Sequence, residues 1–330
     1  NEKYLLRILQ WLMMLLKPVI PFPINLAIYC PLPIQIENQL LHHPFYKFWV
    51  ECLLCLDLGV KRQYWGGNVL FPEAFIPAYP RGLGFGMVVG NRKEIGRELW
   101  LKYWENSISL ESDEVKQLCK IARQNSVFLS VGIIEKDQTS ENTLYCSQIY
   151  INKTGTVAGI HRKLKPTGSE RLIWGEGDGS TLTVVNTEFG KVGGLICWEN
   201  YMPLARMAIY GKGVQIYLAP TADSRDNWQA TLKHIACEGR CFVLGCNQYV
   251  TKSMYPEELP MIDELSQMDE QMCRGGSAII SPQGEVLAGP LFDEAGILRA
   301  ELDLNQIAKA KLDFDVTGHY ARPDIFQLKV

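Results

Sequence analysis

The sequence predicts a layered α/β domain built on a mixed sheet. Short runs rich in Val, Ile, Leu and Tyr recur along the 330-residue chain at strand length, bounded by turn-forming residues. Between them lie stretches with helical spacing of apolar residues, opened by capping residues and closed by Gly or Asn. The connection Ile280-Ser281-Pro282-Gln283-Gly284-Glu285 reads as a hairpin rather than a crossover, so parallel and antiparallel neighbours share the sheet.

The strands are expected at 127–134 (VFLSVGII), 143–151 (TLYCSQIYI), 191–196 (KVGGLI), 214–219 (VQIYLA), 241–250 (CFVLGCNQYV) and 277–288. Of the helices, the clearest is capped by Ser112, carries Asp113 and Glu114 in its first turn, places Val115, Leu118, Cys119 and Ala122 at helical spacing, and leaves at Asn125. A second starts near Pro203 and stops at Gly211 and Gly213. A third follows Asp223 and Ser224 through Trp228, Leu232 and Ile235; His234 on it is expected as a satisfied core or interface histidine.

Residues 1–66 stand apart from the domain expected over 67–330. From Asn1 to Leu58 there is no Gly, Ser or Thr and one Ala, yet six of the 17 prolines fall there. The apolar run Trp11 to Ile34 has the length of a membrane span, but Lys17 and five prolines interrupt it. A lipid-exposed helix must satisfy its own backbone, so no span is expected. With 33 Lys plus Arg against 36 Asp plus Glu, the chain lacks the basic excess that binds nucleic acid or an anionic membrane. Ten irregularly spaced cysteines in so long a chain point to a reducing, cytoplasmic setting rather than a disulfide framework.

Three segments carry chemistry. KVGGLICWENY, Lys191 to Tyr201, is a small-residue strand ending abruptly at Cys197 and turning into a helix, a setting that exposes a nucleophile beside backbone N–H groups. Read alone, Cys197 could equally be a small buried hydrophobe. VLFPEAFIPAYPRG places Glu73 after an apolar strand among prolines and aromatics that can exclude water and raise its pKa. HRKLKPTGSERLIWG puts Lys163 at a strand end and Glu170 seven residues later across a turn, although in isolation it reads as a basic loop. Trp198, Tyr201 and Trp104 are candidates to line a substrate pocket, with packing as the alternative. Cys52 and Cys55 have CxxC spacing but no second pair, so no metal site is expected.

Together with YWENSI, TLYC, YLAPTADSRDNW, HIACEGRCFVLGCNQ, RGGSAIISPQGEVLAGP and DFDVTGHYARPD, these segments resemble, in order, the nitrilases of the carbon-nitrogen hydrolase superfamily over Val69 to Asp324. The resemblance implies a four-layer α-β-β-α sandwich that self-associates as a dimer or larger spiral. It implies Cys197 as nucleophile, Glu73 as general base, Lys163 as the cation stabilising the intermediate, and Glu170 as the second glutamate. It further implies hydrolysis of an organic nitrile to acid and ammonia through a thioimidate and a thioester, without metal or organic cofactor. The alternatives are an amidase or cyanide-hydrating relative, or an inactive product. The last arises because the family's opening strand and helix are not recognisable in 1–66, whose composition suggests a mistranslated or misassembled segment.

Overall fold

A computed structural model of the chain describes residues 24–29 and 67–330, apart from 141. Two mixed sheets lie face to face. The first holds β1 (Ile24–Tyr29), β2 (Gly67–Leu70), β5 (Phe128–Lys136), β6 (Leu144–Ile151), β7 (Val157–Arg162) and β15 (Ile297–Leu302), in the order β15-β1-β2-β5-β6-β7. A small hairpin, β3 (Met87–Val88) and β4 (Asn91–Arg92), stands off it. The second sheet comprises β8 (Val184–Thr187), β9 (Gly190–Gly194), β10 (Ile216–Thr221), β11 (Phe242–Asn247), β12 (Tyr249–Thr251), β13 (Gln271–Ile280) and β14 (Val286–Phe292). Its order is β12-β13-β11-β10-β9-β8, with β14 also on β13. The helices are α1 (Glu94–Asn106), α2 (Asp113–Asn125), α3 (Pro203–Gly211), α4 (Asn227–Gly239) and α5 (Asn305–Asp313).

Period-two alternation sorts each strand into the layers. Val69, Leu129, Val131, Ile149 and Ile151 pack on Val115, Leu118, Ile121 and Ala122 of α2. On the opposite face of the same strands, Leu70, Phe128 and Tyr150 meet Val192, Ile216, Leu218, Phe242 and Leu244 of the second sheet. That sheet turns Tyr217, Ala219, Val243 and Ala278 outward onto Ala205, Ala208 and Ile209 of α3 and Trp228, Leu232, Ile235 and Ala236 of α4. Helix, sheet, sheet, helix is therefore the order of the layers, as the family resemblance implied.

Several elements follow their sequence signals. Ser112 caps α2, its hydroxyl accepting Val115 N, and the helix closes at Ser126 in the left-handed region. Pro203 opens α3. Other readings are corrected. The run 241–250 is not one strand, because it breaks at Gln248 between β11 and β12, and 277–288 divides at the turn where Ser281 N meets Glu285 O. Helices α1 and α5 escaped notice because each buries few residues: Gly96, Leu99 and Tyr103 in α1, Ile307 and Ala310 in α5. His234 is not a core residue. Its side chain is 63% exposed and faces Glu238, since Trp228, Leu232, Ile235 and Ala236 occupy the buried stripe of α4.

The sheet position with no visible owner in the sequence is taken by Ile24–Tyr29. This strand runs parallel to β2 (Ala27 opposite Val69) and antiparallel to β15 (Ala27 opposite Arg299). Its string INLAIY carries the strand formers Ile24, Ile28 and Tyr29 but also Asn25 and Ala27, which strands disfavour, and it is hidden among prolines and longer apolar runs. Cys52 and Cys55 lie outside the described residues. No helix among the described residues is long and apolar enough to cross a membrane.

Candidate active site

The site forms where strands of the two sheets end at the same rim. From the first sheet, the chain leaves β2 and turns Glu73 inward. Gly132 of β5 makes this possible: a Cβ there would lie 2.1 Å from Pro72 O and 2.9 Å from the Glu73 carbonyl carbon. Gln248 Nε2 donates to Glu73 O at 2.8 Å, tying the turn to the end of β11. Lys163 follows β7 directly, and its backbone N–H donates to Cys146 O at 2.8 Å.

From the second sheet comes Cys197. The glycines of β9 let the strands approach closely, since a Cβ on Gly194 would sit 1.9 Å from Leu218 O. The turn then places Cys197 at φ 52°, a left-handed conformation that costs a non-glycine residue of order 1–3 kcal/mol and is held only by its surroundings. Asn200 supplies that hold: its Nδ2 donates to Leu195 O at 2.9 Å and Cys197 O at 2.8 Å, while its Oδ1 accepts Tyr217 OH at 2.8 Å.

The charged core is buried. Lys163 Nζ donates to Glu73 Oε1 at 2.6 Å and Glu170 Oε2 at 2.7 Å. Glu170 also accepts Thr167 N at 2.6 Å and Tyr79 OH at 2.7 Å, so it is fixed within its own turn and by the loop that carries Glu73. Burial raises the pKa of Glu73 above the ordinary glutamate value, and the Lys163 charge offsets only part of this. Burial alone would drive the proton from Lys163, but the Glu73 charge and its neighbours overcome it and hold the ammonium well charged. Burial, reinforced by the Glu73 charge, pushes the Cys197 thiol up to about 12. The thiol is therefore protonated at neutral pH and needs a base. Thr221 Oγ1, which accepts Asp223 N at 3.0 Å, lies 3.1 Å from Cys197 Sγ and can donate to a thiolate.

One buried pair locks the two sheets together here. Glu199, two residues after Cys197, accepts Ile196 N at 2.7 Å, Leu164 N at 2.6 Å and His161 Nε2 at 3.0 Å. His161 Nδ1 faces Thr181 O at 3.0 Å, a carbonyl that can only accept, so Nδ1 carries a proton. Burial would lower its pKa, but Glu199 reverses the direction and raises it.

Cys197, Glu73, Lys163 and Glu170 are thus brought together. Trp198 and Tyr201 border the turn at Cys197: Trp198 Nε1 donates to Asp223 Oδ2 at 2.8 Å, the Arg225 guanidinium lies 4.8 Å from its ring centroid, and Tyr201 meets it edge-on at 5.9 Å. Trp104 reaches elsewhere, under Lys136 Nζ at 4.1 Å, and helps line a cleft of about 480 Å³ with Ser109, Glu111, Asp137 and Gln138. Sequence reasoning missed Glu199, His161, Thr221, Asn200 and Cys146. His161 could have been found, because it stands two residues before Lys163 at the end of an apolar strand, where period-two alternation favours the same face.

Residues 67–312 match the family described as Carbon-nitrogen hydrolase. The chain belongs to the carbon-nitrogen hydrolase family. It is 50% identical over 268 residues to an aliphatic nitrilase of Sinorhizobium fredii (strain HH103), covering 80% of this chain and 85% of that protein. It is equally 50% identical over 277 residues to the bifunctional nitrilase/nitrile hydratase NIT4B of Nicotiana tabacum, covering 83% and 78%. Among solved structures, a carbon-nitrogen hydrolase from Helicobacter pylori G27 superposes with a TM-score of 0.68 at 19% identity over 92% of this chain and 96% of that one. That likeness places the present carbon-nitrogen hydrolase in the fold.

Proposed function

We propose that this enzyme is a nitrilase, converting an organic nitrile and two waters into a carboxylic acid and ammonia. The observation that carries the reading is the buried cluster in which Lys163 bridges Glu73 and Glu170 beside the protonated thiol of Cys197. Identity of 50% to an aliphatic nitrilase over four-fifths of the chain supports the substrate class.

Glu73 takes the thiol proton as sulfur attacks the nitrile carbon, and the proton passes to the nitrogen, giving a covalent thioimidate. An ammonium has three N–H donors. Two of those on Lys163 are engaged by carboxylates, and the third serves the nitrogen on which negative charge develops. Water deprotonated by Glu73 adds to the thioimidate, and the tetrahedral adduct expels ammonia to leave a thioester. A second water releases the acid and restores the thiol. Glu170 keeps Lys163 and Glu73 in register. No cofactor enters.

Expulsion of the thiol rather than ammonia would yield an amide, and one relative carries both activities in its name. The test is chromatography of acid, amide and ammonia from a panel of small nitriles and the matching amides. Acid with equimolar ammonia supports the reading; turnover of amides with none of nitriles would reassign the chain to the amidases. We further propose that the enzyme works as a homo-oligomer, supported by the apolar side chains of Tyr201, Met202 and Leu204 left exposed at the start of α3, and in the cytoplasm, supported by the ten irregularly spaced cysteines. Light scattering reads the oligomer size.

A further inference from the structure

A general base has two carboxylate oxygens and uses one. In Glu73 they are not equivalent: Oε1 accepts Lys163 Nζ at 2.6 Å and lies 3.6 Å from Cys146 Sγ, whereas Oε2, equally buried, has no hydrogen-bond partner among the described residues. Cys146 stands on β6 opposite Ile134 of β5, on the strand face that carries Gln148 and Tyr150 into the space between the sheets. Its carbonyl accepts the N–H of Lys163. One residue therefore touches the base through its side chain and the cation's backbone through its main chain. Its thiol is fully buried, and burial together with the Glu73 charge keeps it protonated far above the ordinary cysteine range. It remains a donor and does not compete with Cys197 as a nucleophile.

We propose that Cys146 is a positioning residue for the base: its S–H donates to Glu73 Oε1, which commits Oε2 to proton exchange with Cys197 and helps set the pH at which the base becomes active. This rests on the reading of Glu73 as the base. The other groups that bear on this carboxylate are Lys163 from the end of β7, Glu170 from its turn, with Tyr79 hydrogen-bonded to it, and Cys197 from the second sheet. Glu199 bears on Cys146 rather than on Glu73, and Cys146 in turn bears on Tyr103 of α1. A substitution at Cys146 changes none of these side chains themselves.

A donor to an ionised carboxylate favours the charged form, so removing it raises the carboxylate pKa and strengthening it lowers the pKa. An S–H is a weak donor and an O–H a stronger one. Cys146→Ala should therefore move the acid limb of kcat/KM to higher pH, and Cys146→Ser should move it to lower pH, each by about half a unit. KM should change little. The pH dependence of Cys197 alkylation by iodoacetamide, a readout independent of turnover, should shift in the same two directions. If Cys146→Ser does not fold, Cys146→Thr brings the hydroxyl in a larger side chain. Shifts of both variants in one direction, or none in either with intact circular dichroism, overturn the proposal and leave Cys146 as packing. Failure of the underlying reading is separate, because Glu73→Gln would then keep most of its rate.

Discussion

In the proposed mechanism Cys197 and Glu73 divide one task between them. A thiol held near 12 is almost wholly protonated at pH 7, so the nucleophile is created at the moment of attack rather than stored as a thiolate. Cys197→Ala should abolish turnover, and Cys197→Ser should retain almost none, since a hydroxyl is the poorer nucleophile. Intact-mass spectrometry under substrate should find an adduct on the wild type and not on the alanine variant. Wild-type rates in Cys197→Ala would sink the assignment. The pH profile follows from Glu73 with the sign worked through: the carboxylate must be ionised to accept a proton, and burial raises its pKa. Activity is therefore lost as pH falls, and the loss begins at a higher pH than an unperturbed glutamate would give. Ionisation of the Cys197 thiol itself shapes no alkaline limb below about 12. The acid limb is read from kcat/KM, which reports the free enzyme.

Among the elements, the turn after β9 and the end of β7 matter most, and Glu199 joins them. Replacing it with alanine takes the counter-charge from buried His161 and leaves the backbone N–H groups of Ile196 and Leu164 without their acceptor. The expected cost is ~3–5 kcal/mol of stability, read by urea denaturation, with a kcat loss exceeding any change in KM. A variant as stable and as fast as the wild type would show that the clamp is ornamental. The legibility of these elements in the sequence was uneven for a physical reason. Cys197, Glu73 and Lys163 each follow an apolar run at a turn, a pattern that local sequence displays, but read alone that pattern fits a packed cysteine or a surface turn as well, and it is the ordered run of family-like segments that singles them out. Glu199, Thr221 and Cys146 are defined by partners 35, 24 and 73 residues away, and spacing along the chain does not encode such contacts. Helix α2 was legible because its buried residues recur at helical spacing behind a serine cap. Helix α1 was not, because Trp100, Trp104 and Ile95 remain largely outside the buried stripe of Gly96, Leu99 and Tyr103.

At the scale of the whole molecule, the matched family region begins at residue 67 while the first sheet draws in Ile24–Tyr29. Ala27 is paired on both sides. A proline there removes a donor in an inner strand, so Ala27→Pro should drive the protein into the insoluble fraction on expression, whereas a chain indifferent to the change would show the sheet standing without β1. The division of the site between two sheets has a consequence of another kind. Glu73 and Lys163 ride on one sheet, Cys197 and Thr221 on the other, so the reacting distance measures how far one sheet has slid over its partner. The enzyme thus carries a gauge of its own interior. Leu218→Ala, which empties volume between the sheets, should destabilise by ~2–5 kcal/mol. On mild heating its turnover should fade at temperatures where its far-ultraviolet circular dichroism is still that of the folded chain, because catalysis reads a displacement of tenths of an ångström and backbone ellipticity does not.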